Sequence, residues 1–585
     1  MFNLKEIKSP DFYYNSLFYD FIFNFDKVRH HYCYDYRSIG EFERRADDIN
    51  KFYDNDFRLK IVNILKSLNS RLCCGKRTLN NIELLKDRKT CVVIGGQQPG
   101  FLTGPVFIIY KILTIIKLSQ YLSALLKCNV IPLFWNASDD SNFDQVNNFY
   151  LLNKKVKKIN LALPEASGLK KSRRFSNIFV SEELIRQKIE EVKENLTPST
   201  DFTENAIDML DECLRVAGKS FYGEKTGLNP PNVLNLSSFF SAIILKLFSK
   251  YGLVVIDPSE PDLKALALKL IKFDIENYAG IYDAVKEAGE NLKNEGYHSQ
   301  IMSDVKNLNF FLDVEGKRRR FIEVKNGYFA LPDCILDENE LFEFLKSRVS
   351  QLSLNVVLRP IFQDTVLPVL AEVCGPGEIS YYGQMKKVYE IFNLKTGIIY
   401  PRFSATIIES KIEKSIRKLG IDYEELGKDK SRIRKKIIAH IAGKDVEKLL
   451  KNFESDIFLK LSGLKKSLSF CPKNSGGTSS TGSYGTKESM ESAGSIGSAF
   501  DRIERNFKKE IEVLGKKLYS EFEKRSDLIS ANLDKIYINI FPENKLQERI
   551  INVFNYINKY DFKLLDCIYD IVKPFDFYHE FLIIS

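Results

Sequence analysis

Between two apolar stretches the chain runs Gly95-Gly96-Gln97-Gln98-Pro99-Gly100-Phe101-Leu102-Thr103-Gly104-Pro105, a loop of four glycines and two prolines. Glycines let a backbone approach a ligand closely, and the unpaired N–H groups at a helix start attract anions. Gln97 and Gln98 add amide donors and acceptors, and Thr103 a hydroxyl. Gly96, Gly100 and Gly104 with these three side chains are therefore candidates for binding an anionic ligand. The spacing matches neither G-x-G-x-x-G nor G-x-x-x-x-G-K-[ST], which excludes the dinucleotide fingerprint and the P-loop. A glycine-rich turn that merely joins a strand to a helix has the same composition, so both readings stand at this point. Further on, Asp139 and Asp140 place adjacent carboxylates in a second loop, and Arg359 and Arg402 each come just after an apolar run. A guanidinium so placed can meet an anion bidentately or pair with a local carboxylate.

The elements around these loops predict how they are positioned. Cys91-Val92-Val93-Ile94 reads as a buried strand and Val106 to Leu126 as a helix, with Pro105 suited to its start. Val130 to Trp135 is a second strand, ending in Asn136-Ala137-Ser138-Asp139-Asp140. This is a βαβ unit with its polar groups at the strand ends, where open parallel sheets bind ligands. Leu253 to Ile256 repeats the helix-to-strand step, with Asp257 either capping the next helix or reaching the site. Asn355 to Leu358 and Ile398 to Tyr400 are read as further strands of the sheet. Phe310 to Val324 reads as an antiparallel meander, with Lys317-Arg318-Arg319-Arg320 a charged hairpin tip.

After residue 404 the pattern changes. Val446, Leu449, Phe453, Ile457, Leu461, Leu464 and Leu468 recur at three- and four-residue steps, as do Ile503, Phe507, Ile511 and Leu514. Between these runs lies a Gly/Ser/Thr-rich stretch. The pattern predicts an α-helical antiparallel coiled-coil hairpin over 405–535 with a flexible tip at 471–498, suited to homodimerisation. The fold class is α/β: a doubly wound, Rossmann-like parallel-sheet core over 1–404, with subdomains inserted at about 160–340. A helical segment over 536–585 returns to that core.

Several blocks resemble one family. Val93 to Gly100 with Leu102-Thr103-Gly104-Pro105 and Tyr110-Lys111, and Phe134 to Asp140 with Asp144 and Val146-Asn147, are similar to the bacillithiol biosynthesis cysteine-adding enzymes. So are Arg359-Pro360 with Gln363-Asp364-Thr365, Gly375-Pro376-Gly377-Glu378-Ile379 with Tyr381 and Gln384, and Leu546-Gln547-Glu548-Arg549. The blocks span nearly the whole chain in the family's order. One departs: the family carries Glu-Asp-His-Asp where this chain has Asp139-Asp140-Ser141-Asn142.

The resemblance implies a ligase that adds L-cysteine to glucosaminyl-malate in the last step of bacillithiol biosynthesis. A free carboxylate does not acylate an amine at neutral pH, so ATP with Mg2+ is implied as the activator, through an acyl-adenylate or acyl-phosphate. Asp139 or Asp140 would bind the glucosamine ammonium and accept its proton, and the arginines would neutralise the malate carboxylates. Trp135, Asn147, Gln363, Asp364, Gly377, Glu378 and Gln384 join the substrate- or nucleotide-binding set through the matching motifs. Two alternatives rest on the same residues: a coiled-coil interaction protein that has lost its chemistry, as Ser141 and Asn142 suggest, and a nucleotidyltransferase on the same core.

Composition bounds the rest. The 585 residues exceed one ordinary core, and the formal charge of +9 (86 minus 77) suits anionic small molecules better than nucleic acid. Ten cysteines without a C-x-x-C pair and only five histidines predict no metal site. His30-His31 beside Tyr32 and Tyr34 reads as packing or surface. Cys374, the cysteine nearest a site loop, reads as packing rather than as a nucleophile. Lysines interrupt the apolar helices, so no membrane span is expected and the protein reads as cytoplasmic.

Overall fold

The computed structural model describes residues 2–13, 15–140, 143–153, 155–162, 174–220, 233–302, 305–314, 317–325, 327–331, 334–442, 446–468 and 488–584. Ser141, Asn142 and 471–487 of the expected tip lie outside these residues. The core sheet comprises β1 (Cys91–Gln97), β2 (Val130–Asn136), β3 (Val254–Ile256), β4 (Val369–Cys374) and β5 (Ile398–Pro401), in the order β5-β4-β1-β2-β3. Every pairing in it is parallel. The first strand lies in the centre, two are added on one side, and the chain then returns to add two on the other. The order thus reverses between β1 and β4, the place where open parallel sheets bind ligands at their carboxyl ends.

All of β2, β4 and β5 is buried, and β1 up to its last residue, as befits a parallel sheet covered on both faces. Helix α1 (Phe107–Leu126) connects β1 to β2 and packs on both. It is apolar and long enough to cross a membrane, yet most of it is buried within the protein. The edge strand β3 is closed by a side chain. Asn69 Nδ2 donates to Val255 O (2.8 Å) and Asn69 Oδ1 accepts from Val255 N (3.0 Å), so an amide stands in for a sixth strand.

The structure corrects three expectations here. Asn355–Leu358 is no core strand: Asn355 Oδ1 accepts from the backbone N–H of Val357 and Leu358 (2.8 and 2.9 Å) and starts helix α2 (Leu358–Val366). Arg359 therefore sits in the first turn of a helix. The core strand at this point is β4, whose apolar run is interrupted by the buried Glu372. The inserted material is not one block, because β3 lies within 160–340 and belongs to the core sheet. Nor is the C-terminal segment wholly helical: it ends in the strand His579–Ile584, antiparallel to Phe2–Ile7 and parallel to Ser404–Glu409.

A separate five-stranded antiparallel sheet comprises Asn307–Val314, Lys317–Lys325, Tyr328–Leu331, Cys334–Asp337 and Leu352–Leu354. The chain divides into two units, 1–410 with 538–585, and 411–537. In the second unit, helix Val446–Leu468 runs against helix Glu488–Ile540. Lys465 Nζ lies 2.9 Å from Asp501 Oδ1, and Leu450 Cδ1 lies 3.6 Å from where a Cβ on Gly515 would stand. Both pairings place later residues of one helix against earlier ones of the other, so the arms are antiparallel.

Candidate active site

Lys111 projects from the first turns of α1 into the crevice between β1 and β4 and is fully buried. Its ammonium donates to Gly96 O (2.6 Å), Gln97 Oε1 (3.3 Å) and Glu378 Oε2 (2.5 Å). Burying a charge is costly unless it is paired and hydrogen-bonded, and these three acceptors satisfy all three ammonium protons. Glu378 also accepts from Gly375 N (2.7 Å), which ties the loop after β4 to the loop after β1.

Above this bridge opens a cavity of about 660 Å³. Ile271, Ile281, Val285 and Ile301 form an apolar wall. Opposite them stand the carboxylates Asp139, Asp140 and Glu378, outnumbered by the cations of Lys111, Lys264, Arg318, Arg320, Arg359 and Arg549. The balance suits an anionic ligand that also carries an amine. Trp135 lines the same cavity, and its buried Nε1–H has no acceptor among the described residues.

The two aspartates differ sharply. Asp139 takes Lys264 Nζ on both oxygens (3.1 and 2.9 Å) and Arg174 Nη1 on one (3.1 Å). Burial works to raise its pKa, but Lys264 and Arg174 outweigh that and hold the carboxyl below the usual range. Burial in turn brings Lys264 down to about 8, against the pull of Asp139. Arg174 is also bonded to Asp313 of the antiparallel sheet, so Asp139 fixes that sheet to the acidic loop. Asp140 is 44% exposed, accepts from Gln98 Nε2, and lies 3.9 Å from Arg318 Nη1. Asp139 is thus committed to structure, while Asp140 faces the cavity.

Arg318 comes from the run that reads as a charged hairpin tip. Its guanidinium stacks 3.9 Å over the Phe311 ring, donates through Nε to Ser353 Oγ (2.9 Å), and keeps 12% of the side chain exposed. The guanidinium of Arg320 lies 5.3 Å from the centre of the same Phe311 ring. Alternation along a strand puts residues two apart on one face, so Arg318 and Arg320 turn together to the cavity. That period-two spacing is the signal in the sequence that marks them out.

A profile described as the N-terminal Rossmann-like domain of bacillithiol biosynthesis BshC matches residues 2–403, and one for its C-terminal coiled-coil domain matches residues 486–584. The chain belongs to the bacillithiol biosynthesis BshC family. It is 29% identical over 565 residues to the "Putative cysteine ligase BshC" of Natranaerobius thermophilus, covering 94% of each chain. The protein of the same name from Bacillus cytotoxicus is 28% identical over 95% of each chain. That of Salinibacter ruber is 28% identical over 94% of this chain and 93% of its own.

Of the candidate site residues read from the sequence, the cavity gathers Gly96, Gln97, Gln98, Trp135, Asp139, Asp140, Arg359, Gly377, Glu378 and Arg402. The others lie off it. Gly100 and Gly104 face one another: a Cβ on Gly100 would come within 2.5 Å of Gly104 Cα. Gly104 has φ +68, a conformation that glycine adopts at little cost. Thr103 is buried, and Asn552 Nδ2 clasps the carbonyls of Leu102 (2.6 Å) and Gly104 (2.7 Å). The room that these glycines leave is filled by the chain itself. Asn147 is buried in the fold away from the cavity.

Behind the cavity, Arg359 donates to Gln363 Oε1 (2.5 Å) and Tyr381 Oη (2.6 Å). Gln363 Nε2 continues to Glu372 (3.3 Å), where burial, opposed by Arg359, pushes the carboxyl up to about 7. Asp364 accepts from Tyr389 Oη (2.7 Å) and Gly397 N (3.3 Å), tying α2 to the approach to β5. Gln384 Oε1 accepts from Gln300 N and Ile301 N (both 2.8 Å), fixing part of the cavity wall. These three residues position others rather than meet a ligand. Arg402 lines the cavity with its fork already filled by Glu548, at 2.5 and 3.0 Å, the local-carboxylate alternative. Asp257 does not cap the next helix, Pro261–Leu266, whose N-cap is Glu260 without a side-chain bond; it accepts from Ser259 N (2.9 Å) in the loop before it and from Ser237 Oγ (2.7 Å). Cys374 is fully buried, and burial pushes its thiol well above its usual range, against a nucleophilic role.

Proposed function

We propose that this protein is a ligase that joins L-cysteine to glucosaminyl-malate through an amide bond, completing bacillithiol. The observation that carries the reading is Asp140, turned to a cation-rich cavity at the topological switch point between Gln98 and Arg318. A carboxylate there pairs with the amino sugar's ammonium, takes its proton, and leaves the amine free to attack the carbonyl carbon of a cysteine whose carboxylate has been activated. The activating group departs with the C–O bond as the C–N bond forms. Arg318, Arg320 and Arg359 meet the malate carboxylates. The apolar wall excludes water from the acyl group.

ATP with Mg2+ belongs to this proposal as the source of carboxylate activation. The fit is uneven. The cavity arginines suit a phosphate-bearing group, whereas the glycine loop is closed on itself at Gly100 and Gly104 and offers no open cradle there. Asp139 and Glu378 are each engaged by a lysine, so Mg2+ would be carried mainly by the nucleotide's own oxygens.

The same proposal includes a homodimer formed through unit 411–537. Phe453, Leu459, Leu464, Ile503, Phe507 and Leu514 are exposed on its two long helices, an apolar surface suited to a second copy. The test of the activity is mass spectrometry of purified protein with cysteine and glucosaminyl-malate, with and without ATP and Mg2+. A bacillithiol product supports the reading. Its absence from folded protein under all these conditions favours the interaction-protein alternative.

A further inference from the structure

Away from the cavity, His30 and His31 occupy a 3₁₀ turn, Arg29–His31, with ring centroids 4.0 Å apart. Adjacent residues seldom aim at one point, yet these two do. His30 Nε2 lies 3.0 Å from Glu295 Oε1, and His31 Nε2 lies 2.9 Å from Glu295 Oε2. Glu295 is the C-cap of the long helix Leu268–Asn294, a helix end whose dipole favours cations. One ligand atom from each of the three residues falls within 4.8 Å of the others.

We infer that His30, His31 and Glu295 form a site for a divalent transition-metal ion of the Zn2+ type. The donor set is two imidazole nitrogens and one carboxylate oxygen, the borderline chemistry that such ions take in preference to Mg2+ or Ca2+. Bonds of about 2.1 Å to nitrogen and oxygen set tetrahedral ligand–ligand edges of about 3.4 Å. Each imidazole nitrogen faces its own oxygen of Glu295, at 3.0 and 2.9 Å, and the ligand atoms of the three residues lie within 4.8 Å of one another, so a modest shift brings both nitrogens and one oxygen onto a single ion. His31 and Glu295 are fixed by burial and by the helix end, and His30, more than half exposed, closes onto them from solvent. Lys386 is the nearby competitor for the carboxylate; its ammonium is held instead on His30 O (3.0 Å), outside the donor set.

The ion would clip the N-terminal segment to the long helix, five residues before Gln300 and Ile301 enter the cavity wall. Its place is structural: no residue of the proposed chemistry takes part. This makes failure here distinguishable from failure of the ligase reading.

The test uses the full, untagged chain, stripped with a chelator and titrated with Zn2+ by calorimetry. Co2+ serves as a spectroscopic probe. The expected result is about one equivalent bound and a melting temperature that rises with Zn2+. Glu295→Gln and His31→Ala should each weaken binding by more than the roughly 10- to 100-fold that loss of an outer-shell partner costs. If His31→Ala fails to fold, His30→Ala on the exposed side replaces it. Wild-type protein that binds no Zn2+ overturns the inference. So does undiminished binding in Glu295→Gln and His30→Ala, or a Co2+ thiolate band in wild type that persists in both.

Discussion

Lys111 Nζ and Glu378 Oε2 lie 2.5 Å apart and join the loops on either side of the point where the strand order reverses. The pair closes the floor of the cavity with a charge that water cannot reach from the Lys111 side. Removing one partner is therefore worse than removing both. Lys111→Met should cost less than the roughly 3–5 kcal/mol of orphaning a fully buried charge, because a fifth of the Glu378 side chain stays exposed. Lys111→Met with Glu378→Gln should cost less than the single change. Denaturant unfolding of the wild type, the two single variants and the double variant decides this; additive losses would show that the pair is not coupled.

The two aspartates should separate in assay. Asp140→Ala is expected to lower the rate of cysteine addition by roughly 10²- to 10⁴-fold, the range for loss of a general base, in a folded protein. Asp139→Ala leaves the buried Lys264 without its carboxylate and Arg174 with Asp313 alone, so its main effect should be a lower melting temperature. Ser141→Ala should change the rate little. Circular dichroism alongside the mass-spectrometric rate distinguishes these outcomes.

Arg318 should govern affinity for the anionic substrate. Arg318→Met is expected to reduce kcat/KM by about 10- to 100-fold, in line with the roughly 1.5–3 kcal/mol of a charge-assisted hydrogen bond. Arg402→Met should instead act on stability, because Glu548 is buried against it. Equal kinetic losses in both variants would reject this division of roles.

Glu372 sets a pH dependence. Its folded pKa of about 7 stands above the ordinary 4.5, so between those values the folded state holds a proton that the unfolded chain has released. Stability contributed by this group is complete below about pH 4.5 and falls as pH rises towards 7. Glu372→Gln should flatten that slope in melting temperatures taken from about pH 5 to 8. An unchanged slope would assign it to Asp364, Asp274 or Glu580, which burial also raises.

Deleting residues 446–533 should convert a dimer to a monomer by light scattering, with the parallel-sheet unit still folded. A surviving dimer would move the interface elsewhere.

Local patterns along the chain encode much of the core. β1, β2, β3 and β5 are continuous apolar runs, and the glycine and acidic loops mark the carboxyl ends of the first two. β4 is hidden because Glu372 breaks its run, and only Arg359, Gln363 and Tyr382, brought in from elsewhere in the chain, make that carboxylate tolerable in a core. Asn355 to Leu358 resembles a strand in its β-branched residues, but a capping asparagine decides otherwise. Arg318 reads as solvated because charge runs usually are. Its stacking on Phe311 depends on strand pairing, Arg318 opposite Asp313 and Arg320 opposite Phe311. Glu548 as the partner of Arg402 is a long-range pairing that no local pattern encodes.

The pairing of Phe2–Ile7 with His579–Ile584 bears on how the chain is made. The earlier strand leaves the ribosome long before its partner is translated. Until then it carries an open edge that other nascent chains can join. A product that stops short of His579 would expose that edge for good. Translation as far as this late strand is thereby registered in the fold itself.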